Sequence, residues 1–395
     1  MIFTAGIAIS LFLWLLLVFK KNKSHPDKIL LAWLLVITIH QLFFIFDHSN
    51  NLKTFTFLIG MDFPLPLMHG PFLYLYSLAL VGNLPQRKIT WLAHFLPAAL
   101  CYIYLVDFFI LSPEEKLFVV ANKGIGYETF LTIKYPAIIV SGVAYVISTL
   151  ILLKKHRKKI KDNFSDIEKI NLEWLRFLTY GIGIIWLVVI LGTDEYIFIA
   201  VVIFVMVIGF FGIKQTPIFT KNHPQGELPD SNELVQAEDA PDEKNLKMEG
   251  EIANSPWIEP VSTIERGKYQ KSSLNENEIL HIHGQLTDLM ERKRLYTNPE
   301  LTLGDIAQQL DIHPNYLSQV INSVVKKNFY DYINSQRVEE FNRAVKEPKN
   351  QKYTMLSLAY DCGFNSKTSF NRNFRKVTGQ SPSEYLKQMN VGLVS

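Results

Sequence analysis

The stretch GFNSKTSFNRNFRKVTGQSPSEYLK, from Gly363 to Lys387, decides how the chain is read. Phe370 and Phe374 stand four residues apart, on one face of a 3.6-residue helical repeat. Ser366, Lys367, Thr368, Asn371, Arg372 and Arg375 crowd the other side. From Lys367 to Lys387 there are five basic residues and one acidic residue, Glu384. Upstream, YTMLSLAYDCGF (353–364) provides a shorter apolar helix with the small Ala359 at a packing position. Gly363 marks the turn, where glycine permits left-handed backbone. Helix, short turn and helix with one polar, basic face make a helix-turn-helix candidate.

The arrangement occurs twice. Thr302 precedes LGDIAQQL, with Asp305 three residues on, so Thr302 is expected to cap a helix and pair with Asp305. The polar turn DIHPN and the helix YLSQVINSVV follow. Ala307 is the small packing residue, and Leu310, Ile312, Leu317 and Ile321 supply a core. NFYDYINSQRVEEFNRAV (328–345) joins the two units as one long helix, with Phe329, Ile333, Val338 and Phe341 available to both cores. NENEILHIHGQLTDLMERKRLY (275–296) repeats apolar residues near helical spacing and predicts a supporting helix.

These residues resemble the DNA-binding domain of the AraC/XylS family of transcription regulators, over about 280–389. The sharpest match runs through Gly363, Phe364, Phe370, Phe374, Gly379, Pro382 and Tyr385, and IAQQLDIHPNYLSQVI (306–321) carries the first unit. The resemblance implies two reader helices in successive major-groove segments of double-stranded promoter DNA. The implied base-facing residues are Asn315, Ser318 and Gln319 in the first, and Lys367, Thr368, Asn371 and Arg372 in the second. Their chemistry agrees: Asn and Gln read adenine edges, Arg and Lys read guanine. Arg375 and Lys376 fit phosphate contacts better. RNA polymerase and a second copy of the chain are the other expected partners. The sequence departs from the family at Lys326 and Lys327, where glycine is common, and at Leu386, which follows Tyr385 where arginine is common.

The first half has a different character. Over 395 residues, 48% hydrophobic and 19% charged with a mean hydropathy of +0.11, the apolar residues segregate before about 215. Seven candidate membrane spans lie at 1–19, 29–47, 64–82, 91–111, 136–153, 173–192 and 196–213. Each approaches the length of about 20 apolar residues that crosses a bilayer. No basic residue precedes the first run, and Lys20, Lys21 and Lys23 follow it, unlike a cleaved signal peptide. Lys20, Lys21, Lys23 and Lys28, then Arg87 and Lys88, then KKHRKKIK from Lys154 with Lys169, enrich alternate loops in positive charge. Those loops are expected in the cytoplasm of a bacterial inner-membrane protein, with the N-terminus outside and the C-terminal domain inside. The KKHRKKIK run is expected to set topology beside anionic lipid. His40, Asp47, His48, His69, His94 and Asp107 are candidates to line a ligand pocket or hold a metal; interhelical hydrogen bonding or exposure at the membrane interface is the leading expectation.

Residues 215–262 contain Pro224, Pro229, Pro241 and Pro256 with an acidic excess, and are expected to be a flexible spacer. With only two cysteines, Cys101 and Cys362, neither a disulfide scaffold nor a zinc cluster is expected. The expected organisation is therefore all-α. A polytopic membrane domain occupies 1–214, the linker 215–262, and a domain with two helix-turn-helix units 263–395. The expected function is a membrane-embedded one-component regulator taking an unknown signal ligand, without cofactor or catalytic step. The alternatives are a transporter or enzyme fused to a DNA-binding domain, or an anchor without a ligand.

Overall fold

The computed structural model describes residues 2–48, 54–214 and 274–389. The expected spacer at 215–262, and residues 263–273, lie outside the described residues. Every regular element described is a helix, and the one isolated bridge pairs Phe164 with Thr302. The chain divides into two compact units: Met1–Arg157 with Asn171–Gln225, and Lys158–Ile170 with Gly226–Ser395. The second unit thus recruits 158–170, a stretch that hydropathy assigns to the membrane half.

The first unit contains α1 (Ile2–Phe19), α2 (His25–His48), α3 (Pro66–Leu80), α4 (Lys88–Ala93), α5 (Leu96–Tyr104), α6 (Val106–Ile110) and α7 (Pro113–Ala121). It continues with most of α8 (Glu128–Asn163), then α9 (Glu173–Leu191) and α10 (Asp194–Lys214). Among the described residues, α1, α2, α8 and α9 are long and apolar enough to cross a membrane. α10 covers the seventh expected span in 21 residues.

Three expected spans differ. The third is a 15-residue helix with Pro71 inside it, about 23 Å long at 1.5 Å per residue, short of a hydrocarbon core of about 30 Å. The fourth, 91–111, is not one helix but α4, α5 and α6. Pro97 accounts for the first break, because its ring removes a donor and crowds the carbonyl of Ala93. The fifth span is longer than expected. Its helix runs through the basic residues 154–161, which hydropathy assigns to a loop, because Lys and Arg are good helix formers and no Gly or Pro intervenes.

The core of this unit gathers Leu17, Trp33, Leu34, Leu73, Tyr76, Leu175 and Val205. Its exterior is also apolar: Phe12, Phe19, Ile103, Ile110, Val140, Phe177 and Leu191 are all more than half exposed. Its polar side chains join helices. Thr38 donates to Ser10 at 2.9 Å, Trp33 Nε1 donates to His69 Nδ1 at 3.3 Å, and His69 Nε2 meets His40 Nδ1 at 3.0 Å. His94 meets the Tyr145 hydroxyl at 2.9 Å. Interhelical bonding is thus the observed role of these histidines, and no group of three metal-ligating side chains occurs among the described residues.

The second unit holds α11 (Glu276–Lys293), α12 (Leu303–Gln309), α13 (Pro314–Val320), α14 (Phe329–Ala344), α15 (Met355–Asp361), α16 (Lys367–Thr378) and α17 (Pro382–Gln388). Each start is capped by a side chain on an orphan backbone donor. Thr302 and Asp305 form the expected reciprocal box, as do Asn275 with Glu278 and Ser381 with Glu384. Two small cores share α14. Phe329, Tyr332 and Ile333 pack with Leu286, Ile306, Ala307 and Leu317; Val338, Phe341 and Val345 pack with Ala359, Phe364, Phe370 and Phe374. The sequence pattern along 328–345 made these residues available to both cores; the structure divides them, Phe329 and Ile333 to the first and Val338 and Phe341 to the second.

Candidate nucleic-acid interface

Two helix pairs, α12 with α13 and α15 with α16, present the polar side chains singled out by sequence. In the first pair Asn315 is exposed at the start of α13, while Ser318 and Gln319 are half-buried one turn later. His313 caps this helix, its Nδ1 accepting from the Asn315 amide at 3.1 Å. In the second pair Lys367, Thr368 and Arg372 are exposed and Asn371 is half-buried. Arg375 and Lys376 are exposed one turn further on. The seven expected base-facing residues thus divide between two helices held by one common helix.

Two of the basic residues are engaged within the unit. Arg372 Nη2 donates to the Tyr330 hydroxyl at 2.8 Å and stands 3.8 Å from Glu168 Oε1. Lys376 Nζ reaches Asp331 at 2.6 Å, an ion pair open enough to solvent to exchange for another anion at little cost. Buried Asn373 donates to the same Tyr330 hydroxyl at 2.7 Å, so α16 and α14 are joined by a polar bracket as well as by phenylalanines.

The backbone explains the orientation. Gly363 has φ 96°, and a Cβ there would lie 2.5 Å from the Tyr296 carbonyl oxygen. Only glycine combines that conformation with that approach. Ser366 caps α16 by accepting from the Ser369 amide at 3.0 Å. Gly379, φ 80°, ends the helix. After α13, where the resemblance implies glycine, Lys326 itself adopts φ 57°.

Arg337, on α14, was not legible as a structural centre. It is 1% exposed. Its Nε donates to the Tyr296 carbonyl at 2.7 Å and Nη2 to the Asn298 carbonyl at 2.8 Å. The same guanidinium reaches Ser165 through its carbonyl at 3.3 Å and its hydroxyl at 3.0 Å. Burial lowers its pKa to about 10, which leaves it charged at neutral pH. Tyr330, Asn373, Asn365 and Ser366 also gained roles that sequence did not assign. Their one signal was the polar residue at a helix start that marks Ser366 as a cap.

Residues 306–388 match the family model described as a helix-turn-helix domain. This region is an AraC-type helix-turn-helix domain. The "Melibiose operon regulatory protein" of Escherichia coli is 25% identical over 182 residues, 46% of this chain and 57% of that protein. An "HTH-type transcriptional activator" of Providencia stuartii is 28% identical over 126 residues, 32% of this chain and 83% of that protein. An uncharacterized HTH-type transcriptional regulator of Escherichia coli is 36% identical over 88 residues, 22% of this chain and 30% of that protein. The chain spans a little over half the length of the melibiose regulator. No solved structure matches it. The AraC-type domain contains both helix pairs except the first turn of α12, together with the whole of α14, the helix their two cores share.

Proposed function

We propose that this protein is a membrane-embedded one-component transcription regulator. Its C-terminal AraC-type domain binds promoter DNA in the cytoplasm, and its N-terminal unit carries the signal input. The observation that supports this most is the pairing, on one chain, of that domain with four helices long and apolar enough to cross a bilayer. The apolar exterior of the first unit supports lipid as its surroundings. Seven crossings, with the N-terminus outside, remain the topology that loop charge favours. The shortness of α3 and the division of 91–111 put the third and fourth crossings under test first.

Both helix pairs act as readers. Asn315, Ser318 and Gln319 face bases from α13, and Lys367, Thr368, Asn371 and Arg372 face bases from α16. Arg375 and Lys376 take phosphates. Contact with RNA polymerase, pairing of two chains and an unidentified signal ligand complete the proposal. Regulation by the names of the relatives above, a melibiose operon regulator and a transcriptional activator, supports this class of function and requires no catalysis. Genome-wide mapping of DNA bound by the full-length protein in its native cell is the test. Discrete promoter-proximal sites are expected, and uniform background occupancy would overturn DNA reading. Topology reporters fused after Phe19, Leu111 and Lys221 are expected to report cytoplasm, outside and cytoplasm in turn. A cytoplasmic signal after Leu111 would overturn the span count or the orientation.

A further inference from the structure

The second unit contains a segment that no DNA-reading role explains. Residues 164–168, Phe-Ser-Asp-Ile-Glu, lie across the start of α16. Asn365 Nδ2 donates to Asp166 Oδ2 at 2.6 Å, and the Ser366 hydroxyl donates to Glu168 Oε2. Glu168 Oε1 faces Arg372 Nη2 at 3.8 Å, and the Glu168 amide donates to Asp166 Oδ1 at 3.0 Å. Two carboxylates therefore occupy the N-terminal end of a 12-residue helix. That end carries partial positive charge and favours anions, phosphate included.

The segment is seated by more than charge. The Ser165 amide donates to the Leu301 carbonyl at 3.1 Å, and its carbonyl accepts from Asn334 at 2.9 Å. Ile160 and Ile167 are buried against Tyr330, the residue that also receives Arg372. The surrounding positions Lys367, Thr368, Asn371 and Arg372 are the ones a DNA duplex would have to approach. A duplex brought there meets two fixed negative charges on donors suited to its own phosphates.

Resting on the DNA-contacting role of α16, we propose that Asp166 and Glu168 are an intramolecular stand-in for DNA phosphate. The segment masks the second reader, and DNA binding requires its release. Release withdraws both carboxylates from Asn365, Ser366 and Arg372 together, because one short segment engages all three. Residues 164–168 connect α8 to α9. A displacement of either helix is thereby delivered to the mask through about ten residues of chain or fewer, a shorter covalent path than the 215–262 connector.

The test uses the full-length chain in phospholipid nanodiscs and a pool of random-sequence duplex DNA. The Asp166→Asn/Glu168→Gln variant keeps side-chain size and removes both charges. It is expected to bind the pool at least about tenfold more tightly than the unaltered chain, the change for losing one of the two charge-assisted contacts. Hydrogen exchange on the unaltered chain provides the second measurement. The Ser165 amide, bonded to Leu301, is expected to exchange faster once DNA is bound. Equal affinities, or a Ser165 amide as protected with DNA as without, would overturn the mask and leave DNA reading intact. If neither chain retains DNA at low salt, the role of α16 falls and the mask with it.

Discussion

The two helix pairs of the C-terminal unit make the same turn by different means. The first turns through Asp311, φ 52°, with its side chain exposed. The second turns through Gly363, φ 96°, pressed against the backbone of Tyr296 and Thr297. The second helix of the first pair, α13, has seven residues and passes into a π turn at Ile321–Val325. Its counterpart in the second pair, α16, has 12 residues and ends on a glycine. The second pair also carries the carboxylates of Asp166 and Glu168 on its cap. A left-handed residue in open space tolerates a side chain at modest cost, whereas one at a backbone contact does not. The second pair is therefore the more constrained, by the chain that precedes the domain and by residues 158–170.

The largest effect expected from that constraint is at Arg337. Arg337→Met strips the donors from the carbonyls of Tyr296, Asn298 and Ser165 and leaves them buried. It should cost about 3–5 kcal/mol of unit stability. Hydrogen-exchange protection of α14 amides in the full-length chain measures it, and a loss below about 1 kcal/mol would mean that water readily replaces the guanidinium.

Next is the turn itself. Gly363→Ala forces a Cβ onto a carbonyl oxygen at a positive φ and should cost at least about 2 kcal/mol, while Asp311→Gly should change stability by less than about 1 kcal/mol. Equal costs at the two positions, by the same exchange measurement, would erase the contrast between the pairs.

DNA readout sharpens it further. Arg372→Ala should lose about 1–3 kcal/mol of discrimination at one base position. Lys376→Ala should weaken binding evenly across sequences and lower the salt slope by about one unit. Binding to every single-base variant of a selected site, at several salt concentrations, separates the two. An unchanged base preference for the Arg372 variant removes it from the readers. The smallest effect is at Lys326. Lys326→Gly relieves left-handed strain after α13 and should stabilise by about 0.5–1 kcal/mol. A destabilised variant would show that the Lys326 side chain contributes more than its backbone costs.

Much of the domain was legible. The Phe370 and Phe374 stripe, the Thr302 cap with Asp305, Gly363 at the turn and the shared helix 328–345 follow from periodicity and cap chemistry, which are local. The apolar first half was legible in composition and less so in geometry. Pro97 separates α4 from α5 within 91–111, and the basic run 154–161 extends α8 instead of forming a loop. Both depend on a choice between helix and turn in which propensity is only one term. The interhelical bonds of His40, His69 and His94 were among the roles considered for those residues, but their partners Trp33 and Tyr145 lie far away in sequence.

By itself, the sequence determined an all-α chain, an apolar first half and the helix-turn-helix chemistry of the second, since these rest on residues a turn or a few turns apart. Only the tertiary structure decided that Ser165 bonds Arg337, that Glu168 sits on the cap of α16, and that Arg372 turns to Tyr330. Ser165 and Arg337 are 172 positions apart, and Glu168 and Ser366 are 198 apart; no periodicity spans such a distance. Docking of 158–170 depends on a buried guanidinium finding acceptors and two carboxylates finding donors, and those matches exist only once the helices have packed.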